Sequence, residues 1–389
     1  MSLNPAESAL PAQKLGIQSA RRLADILKIP PDKLEAVAVS PAVNYSPFAL
    51  VKPPRPFERH HVPHPRPIDN PLQDLKWVQQ RIYRRLLKPI CFPSHILGAV
   101  SKRSVMDNAE RHLASTLLVT LDVRQCFPSI TNVHVYRVWS EFLGCSPPVA
   151  RLLTLLTTFD RHLPQGAPTS PLLANLFIWM IDEPIRTLCK RLLVGYSTWI
   201  DDLAFSGERA RDLIEPSVSL LAANGLKVKR DKIKIMGPRA IKLLTGTRLG
   251  FSRVRAPKEK LSRVRSGINK LRTGLVTPED AERYMLGLVG QLRFIDQLCP
   301  HDASTYAREL AEACKDGSSI LHRESFCLHW HSMIRLLWTI SLPLADGPLL
   351  RSLQGRVAML QMGFVFELTL RFCPPCGTRF LFLSLVTQP

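Results

Sequence analysis

The sequence predicts an α+β fold, and three stretches of its middle third carry that prediction. Ser115 to Val123 is an apolar, β-prone run with Asp122 near its end. Ser170 to Leu188 reads as one buried helix, opened by Ser170-Pro171. Leu193 to Ser206 reads as two short strands around Asp201-Asp202, the pattern of a hairpin.

The other elements follow in chain order. Residues 7–37 space Leu10, Leu15, Ile17, Leu23, Ile26 and Leu27 among polar residues, which predicts a small helical segment within 1–45. Between Pro41 and Pro71 the prolines are too dense for a helix and favour loop or edge-strand structure. Leu72 to Leu87 reads as an amphipathic helix with Lys76, Arg81, Arg84 and Arg85 on its wet side. After the hairpin, Ser217 to Ala223 reads as an apolar helix. Lys227 to Ile235 alternates charged and apolar residues like a half-buried strand. These elements make one unit over 46–250, followed by a basic helical region over 251–315 and a C-terminal extension over 316–389. The extension has six Arg and no Lys and suggests no role.

A chain of 389 residues suits two or three packed subdomains. A hydrophobic fraction of 46% excludes wholesale disorder. Lys plus Arg outnumber Asp plus Glu by 52 to 32, a net charge of +20 that draws a polyanion such as nucleic acid. Most of the cysteines stand singly, and no apolar leader opens the chain, which predicts a reduced, cytoplasmic protein. The apolar segment from Val357 to Phe372 is short for a bilayer span and holds Glu367, so no membrane association is expected.

Asp122, Asp201 and Asp202 carry the chemistry. Taken singly, each reads as a cap or a turn residue. Brought together from separate strands, three carboxylates would repel one another until cations joined them. Two cations so held could activate a hydroxyl and stabilise a transferring phosphate.

Their surroundings resemble a known family. LDVRQCFPSI (121–130), LPQGAPTSPLLAN (163–175) and YSTWIDDLAFSG (196–207) are similar to three successive palm motifs of reverse transcriptases, in the family's order. NGLKVKRDK (224–232) resembles the next, with Gly225 and Lys232 seven apart. DNAERH (107–112) and LTG (244–246) resemble the Asn-Ala-x-x-His and Val-Thr-Gly elements of bacterial retron reverse transcriptases. The likeness spans roughly residues 10–315 and implies a right-hand polymerase of fingers, palm and thumb, its palm built on an antiparallel sheet.

The resemblance assigns roles residue by residue. Asp122, Asp201 and Asp202 would hold two Mg²⁺, or Mn²⁺ in its place. Lys232 would protonate pyrophosphate or position phosphates. Lys52 and Arg59 would grip the triphosphate of a dNTP. Val123, Gln165 and Gly166 would lie against the incoming nucleotide, and Phe127 would exclude a 2′-hydroxyl. Asn108 and His112, four apart on one helix face, would serve RNA handling, with a satisfied core pair as the alternative. Lys258, Lys260, Arg263 and Arg265, in the basic run 253–272, would track the RNA or duplex backbone.

The implied partners are a structured non-coding RNA that is template and primer, the RNA–DNA product, dNTPs and an effector protein. The open alternatives are a group II intron or diversity-generating reverse transcriptase, and a silent RNA-binding scaffold. Departures from the family pattern are Trp199-Ile200 before the aspartate pair, Cys126 and Leu244, and HILGAVSKRS (95–104) matches its counterpart only weakly. Cys373 and Cys376 resemble half a zinc ribbon; without a second pair they read as a turn with two free thiols rather than a zinc site.

Overall fold

The computed structural model describes residues 14–39, 41–51, 65–276 and 278–316, and the backbone of 366–372 and 379–385. The chain divides into two compact units, Met1–Arg253 and Val254–Pro389.

The first unit opens with α1 (Ala20–Leu27) and α2 (Pro31–Val39). The Ser19 hydroxyl caps α1 by accepting the Arg22 N–H. Their apolar faces bury Leu23, Leu27, Leu34 and Val37, as the helical spacing predicts. Strands β1 (Tyr45–Leu50) and β2 (Arg66–Pro71) pair antiparallel, with Tyr45 opposite Pro71 and Leu50 opposite Arg66. The expected amphipathic helix is α3 (Gln73–Ile82), which runs on into a π-helical turn at Tyr83–Leu87.

A five-stranded sheet is the frame of the first unit. Its strands are β3 (Leu118–Arg124), β4 (Gly195–Trp199), β5 (Asp202–Ser206), β6 (Lys227–Val228) and β7 (Lys234–Met236). The order is β4-β5-β3-β6, with β7 also on β3, and every pairing is antiparallel. Buried Leu118, Val119, Leu121 and Val123 run along the central strand β3.

Two sequence expectations are corrected. The segment 170–188 is not one helix but α8 (Ser170–Ile181) and α9 (Glu183–Leu192). Pro184 has no N–H to donate and its ring would strike the carbonyl one turn back, so the chain restarts there. Lys227 to Ile235 is not one strand either. Against β3 the register runs from Val228 opposite Val123 to Lys234 opposite Thr120, so there is more chain than the strand can pair. The surplus leaves the sheet as a short 3₁₀ turn, Arg230–Lys232.

Two further hairpin features bear on the site. Strands β8 (Lys242–Leu244) and β9 (Thr247–Leu249) are joined by Thr245-Gly246, both at positive φ, the geometry a two-residue hairpin needs. The segment at 95–98 covers the free edge of β4. The His95 carbonyl accepts the Thr198 N–H at 2.7 Å, and the Leu97 N–H donates to the Thr198 carbonyl at 2.9 Å.

The second unit contains α11 (Lys258–Arg272), α12 (Pro278–Leu298) and α13 (Pro300–Asp316) (numbered after α10, Ile214–Ala223). Val264 and Ile268 of α11 are buried, as are Leu292 and Ile295 of α12 and Ala307 and Leu310 of α13. Phe366–Phe372 and Arg379–Leu385 pair as an antiparallel hairpin that the sequence reading did not foresee. Among the described residues, no helix is long and apolar enough to cross a membrane.

Candidate active site

The register of the sheet decides where the three carboxylates go. Strand β3 carries Asp122 directly opposite Asp202 of β5. Directly opposed residues of an antiparallel pair share a sheet face, with Cβ atoms roughly 5 Å apart. Asp201 lies beside them in the two-residue turn between Trp199 and Asp202. Its carbonyl accepts the Val123 N–H at 2.9 Å, which ties the turn to β3 next to Asp122. Residues 79 positions apart in the chain thus meet at one edge of the sheet.

The turn is tightly held. Ile200 has φ +58, unusual for a β-branched residue. Gly98 lies against it, so close that a Cβ there would stand 2.8 Å from Ile200 Cγ1 and 3.0 Å from the Trp199 carbonyl carbon. The Gly98 carbonyl accepts from the Asn175 side-chain amide at 2.6 Å. Arg103 donates to the carbonyls of Phe92, Pro93 and Ile96, fixing the same segment. Behind β4, Asp182 accepts from Arg186 at 2.8 Å, and His95 Nε2 stands 2.8 Å from its other oxygen.

Charge accumulates at this edge. Burial, followed by repulsion from Asp201 and Asp122, raises the Asp202 carboxyl to about 6. Asp201 is also raised, chiefly by burial. The Asp122 carboxylate is engaged by Lys229, whose Nζ stands 2.8 Å from Oδ1. Among the described residues, no group of three acidic, His or Cys side chains is already gathered as metal ligands. The donor set nevertheless fits hard divalent cations: oxygen ligands only, two of them made costly to ionise by their neighbours.

Other expected site residues fall as follows. Gln165 and Gly166 dock on β2: the Asp69 N–H donates to the Gln165 carbonyl at 2.9 Å, and the Asp69 carboxylate accepts the Gln165 N–H at 3.0 Å. Gly166 has φ +140, and a Cβ there would come within 3.1 Å of the Asp69 carbonyl oxygen. Phe127 lies one turn after β3 and is half-buried against the core. Val123 is buried. Lys232 is exposed in the 3₁₀ turn, and it is Lys229, three residues earlier, that meets Asp122. Lys52, Arg59, Cys373 and Cys376 lie outside the described residues. On α11, Lys258, Arg263 and Arg265 are exposed, while Lys260 lies 3.5 Å from the Phe294 ring centroid.

Asn108 and His112, read from the sequence either as RNA-handling residues or as a satisfied core pair, are each only 1% exposed, which favours the core pair. Burial and the neighbouring Arg111 charge push the His112 imidazole down to about 4, so it is neutral near pH 7. Ser197 spends its hydroxyl proton on Asn108 Oδ1 at 2.7 Å. His112 therefore donates from Nε2 to Ser197 and accepts at Nδ1 from the Ser206 hydroxyl, both at 2.7 Å. The Asn108 amide donates onward to Thr245 Oγ1 at 3.3 Å. One buried chain of polar groups thus joins both strands of the aspartate hairpin to the β8–β9 turn.

The sequence reading missed Asp69, and it missed Lys229 and Arg66, whose positive charges act on Asp201. A Lys in an alternating strand looks like any solvated charge, and nothing in the sequence showed that its strand would end beside β3.

Residues 58–248 match the family of reverse transcriptases (RNA-dependent DNA polymerases). The retron Ec86 reverse transcriptase of Escherichia coli is 29% identical over 215 residues, covering 54% of this chain and 66% of that protein. The retron Mx65 reverse transcriptase of Myxococcus xanthus is 29% identical over 328 residues, covering 75% and 73%. Residues 58–248 are a reverse transcriptase domain, and the relatives it resembles are retron enzymes. A second Myxococcus xanthus relative, the retron Mx162 reverse transcriptase, is 26% identical over 336 residues, covering 76% of this chain and 67% of its own length. This reverse transcriptase domain accounts for the sheet: an antiparallel palm whose strand ends present the aspartates.

Proposed function

We propose that the protein is an RNA-directed DNA polymerase that copies part of a cognate structured non-coding RNA into single-stranded DNA linked to that RNA. The observation that carries this reading is the pairing of Asp122 with Asp202 beside Asp201. Two Mg²⁺ ions on these carboxylates would lower the pKa of the attacking hydroxyl and stabilise charge on the transferring phosphate. The chain's own residues supply the rest. The Gln165-Gly166 loop, clamped by Asp69, forms a floor for the nucleotide. Phe127 would close the space beneath the sugar, and Arg66 adds positive charge acting on Asp201. Exposed Lys258, Arg263 and Arg265 would follow nucleic-acid backbone through salt-sensitive contacts. By its resemblance to retron enzymes, the system would act in antiphage defence with an effector protein.

The test is recovery of nucleic acid from cells expressing the protein with its neighbouring genomic DNA. A discrete single-stranded DNA attached to RNA is expected, and Asp201→Ala should abolish the DNA while RNA still co-purifies. RNA with no DNA from the unmodified protein would instead indicate a scaffold, and DNA persisting in the Asp201→Ala variant would refute the metal assignment.

A further inference from the structure

Lys229 occupies an unusual position for a residue that sequence reading passes over. It follows directly on β6, whose last residue, Val228, pairs with Val123 of β3. Its N–H donates to the Asp122 carbonyl at 2.9 Å. Its Nζ reaches the same residue's carboxylate at 2.8 Å. Backbone and side chain therefore engage one aspartate at both ends, and the backbone bond keeps Lys229 beside Asp122 whatever its side chain does. The side chains are each a little under a third exposed, so the ammonium can swing without unfolding the sheet.

We propose that Lys229 is the internal counter-ion of this site: it neutralises Asp122 while no divalent cation is bound, and is released to the phosphates of the incoming nucleotide when one arrives. The inference rests on the metal reading given above.

Three observations support it. The register sets Asp122 opposite Asp202, and the Lys229 ammonium holds the Asp122 carboxylate at 2.8 Å. Asp201 and Asp202 lie close by, so the site keeps excess negative charge even with Lys229 in place. The other cations acting on them are Lys234 and Arg66. Neither is in a salt bridge among the described residues, which leaves Lys229 as the cation a metal must displace there. A lysine suits such an exchange because its ammonium is a mobile point charge on a flexible stem.

The energetic consequence is a coupling. The ion pair competes with metal for Asp122, so metal alone binds more weakly than the carboxylates would permit. Nucleotide phosphates take up the displaced ammonium, so nucleotide strengthens metal binding, and metal strengthens nucleotide binding by the same factor.

The experiment titrates Mn²⁺ into chelator-treated full-length protein, following free Mn²⁺ by electron paramagnetic resonance with and without dNTP. Lys229→Gln should bind Mn²⁺ alone roughly 1.5- to 5-fold more tightly, the range of a partly exposed ion pair. The tightening caused by dNTP should shrink by a similar factor. Lys229→Arg should behave like the parent, as should Lys232→Gln in Mn²⁺ affinity. If Lys229→Gln does not fold by circular dichroism, Lys229→Met replaces it, since it keeps the packing of the stem. Unchanged or weaker Mn²⁺ binding in the neutral variant, with binding abolished by Asp201→Asn, would overturn the counter-ion role and leave the metal site standing. Absence of Mn²⁺ binding in the parent and in every variant would overturn the metal reading, and this inference with it.

Discussion

Gly98 and Ile200 are in backbone contact: a Cβ on Gly98 would lie 2.8 Å from the Ile200 nitrogen as well as from its Cγ1. The residue that buttresses the aspartate turn is therefore one with no side chain, next to one in a left-handed conformation.

Gly98→Ala should push the turn away from β3 and cost about 1–3 kcal/mol of stability, as overpacking does. Single-nucleotide incorporation should fall further than melting temperature alone explains, because Asp201 moves with the turn. Adding Ile200→Ala should restore the loss only in part, since the nitrogen contact remains. Full restoration, measured by pre-steady-state incorporation, would show that only the side chain matters.

Asn108 and His112 should prove to be stability residues. His112→Ala strands the Ser206 hydroxyl and removes the donor to Ser197, at a cost of about 1–3 kcal/mol per buried group left unsatisfied. Melting temperature should drop, while the RNA affinity of the folded fraction and its salt dependence stay at the parent's values. A selective loss of RNA affinity in filter binding would reverse this conclusion.

Metal and pH should act together on Asp202. Its folded-state pKa of about 6 lies above the ordinary value of 3.8, so between those values the folded protein holds more protons than the unfolded chain. Its contribution to stability is therefore greatest at low pH and is lost as pH rises towards 6. Asp202→Asn should raise the melting temperature of metal-free protein at pH 7 and change it little at pH 4. Mg²⁺ should stabilise the parent more at pH 7 than at pH 5, read by calorimetry with and without chelator.

Phe127→Ala should admit ribonucleotides. The ratio of kcat/KM for dNTP over rNTP should fall by roughly tenfold or more, corresponding to about 1.4 kcal/mol of discrimination. An unchanged ratio would assign Phe127 to the core instead.

The palm was legible in the sequence because its elements announce themselves locally. An apolar run carrying Asp122, and a strand–Asp-Asp–strand pattern, need only the period of a strand to be read. The resemblance then supplied their meeting. What stayed hidden depends on register. Lys229 meets Asp122 because β6 is two residues long and pairs at the far end of β3, a fact that no alternation pattern encodes. The break at Asp182 follows from Pro184, a signal that the apolar run through Trp179 masks in the sequence. The burial of Asn108 and His112 could be named only as one of two alternatives, since polar residues four apart on a helix look the same whether they face water or a hidden partner.

The bond from the Asn108 amide to Thr245 has a practical consequence for anyone building chimaeras. Two short elements more than a hundred positions apart in the chain form one mechanical part, so they must be transplanted as a set. A recombinant that takes one from a different parent would inherit a mismatched latch, and would be disturbed at the aspartate hairpin although every aspartate in it was correct.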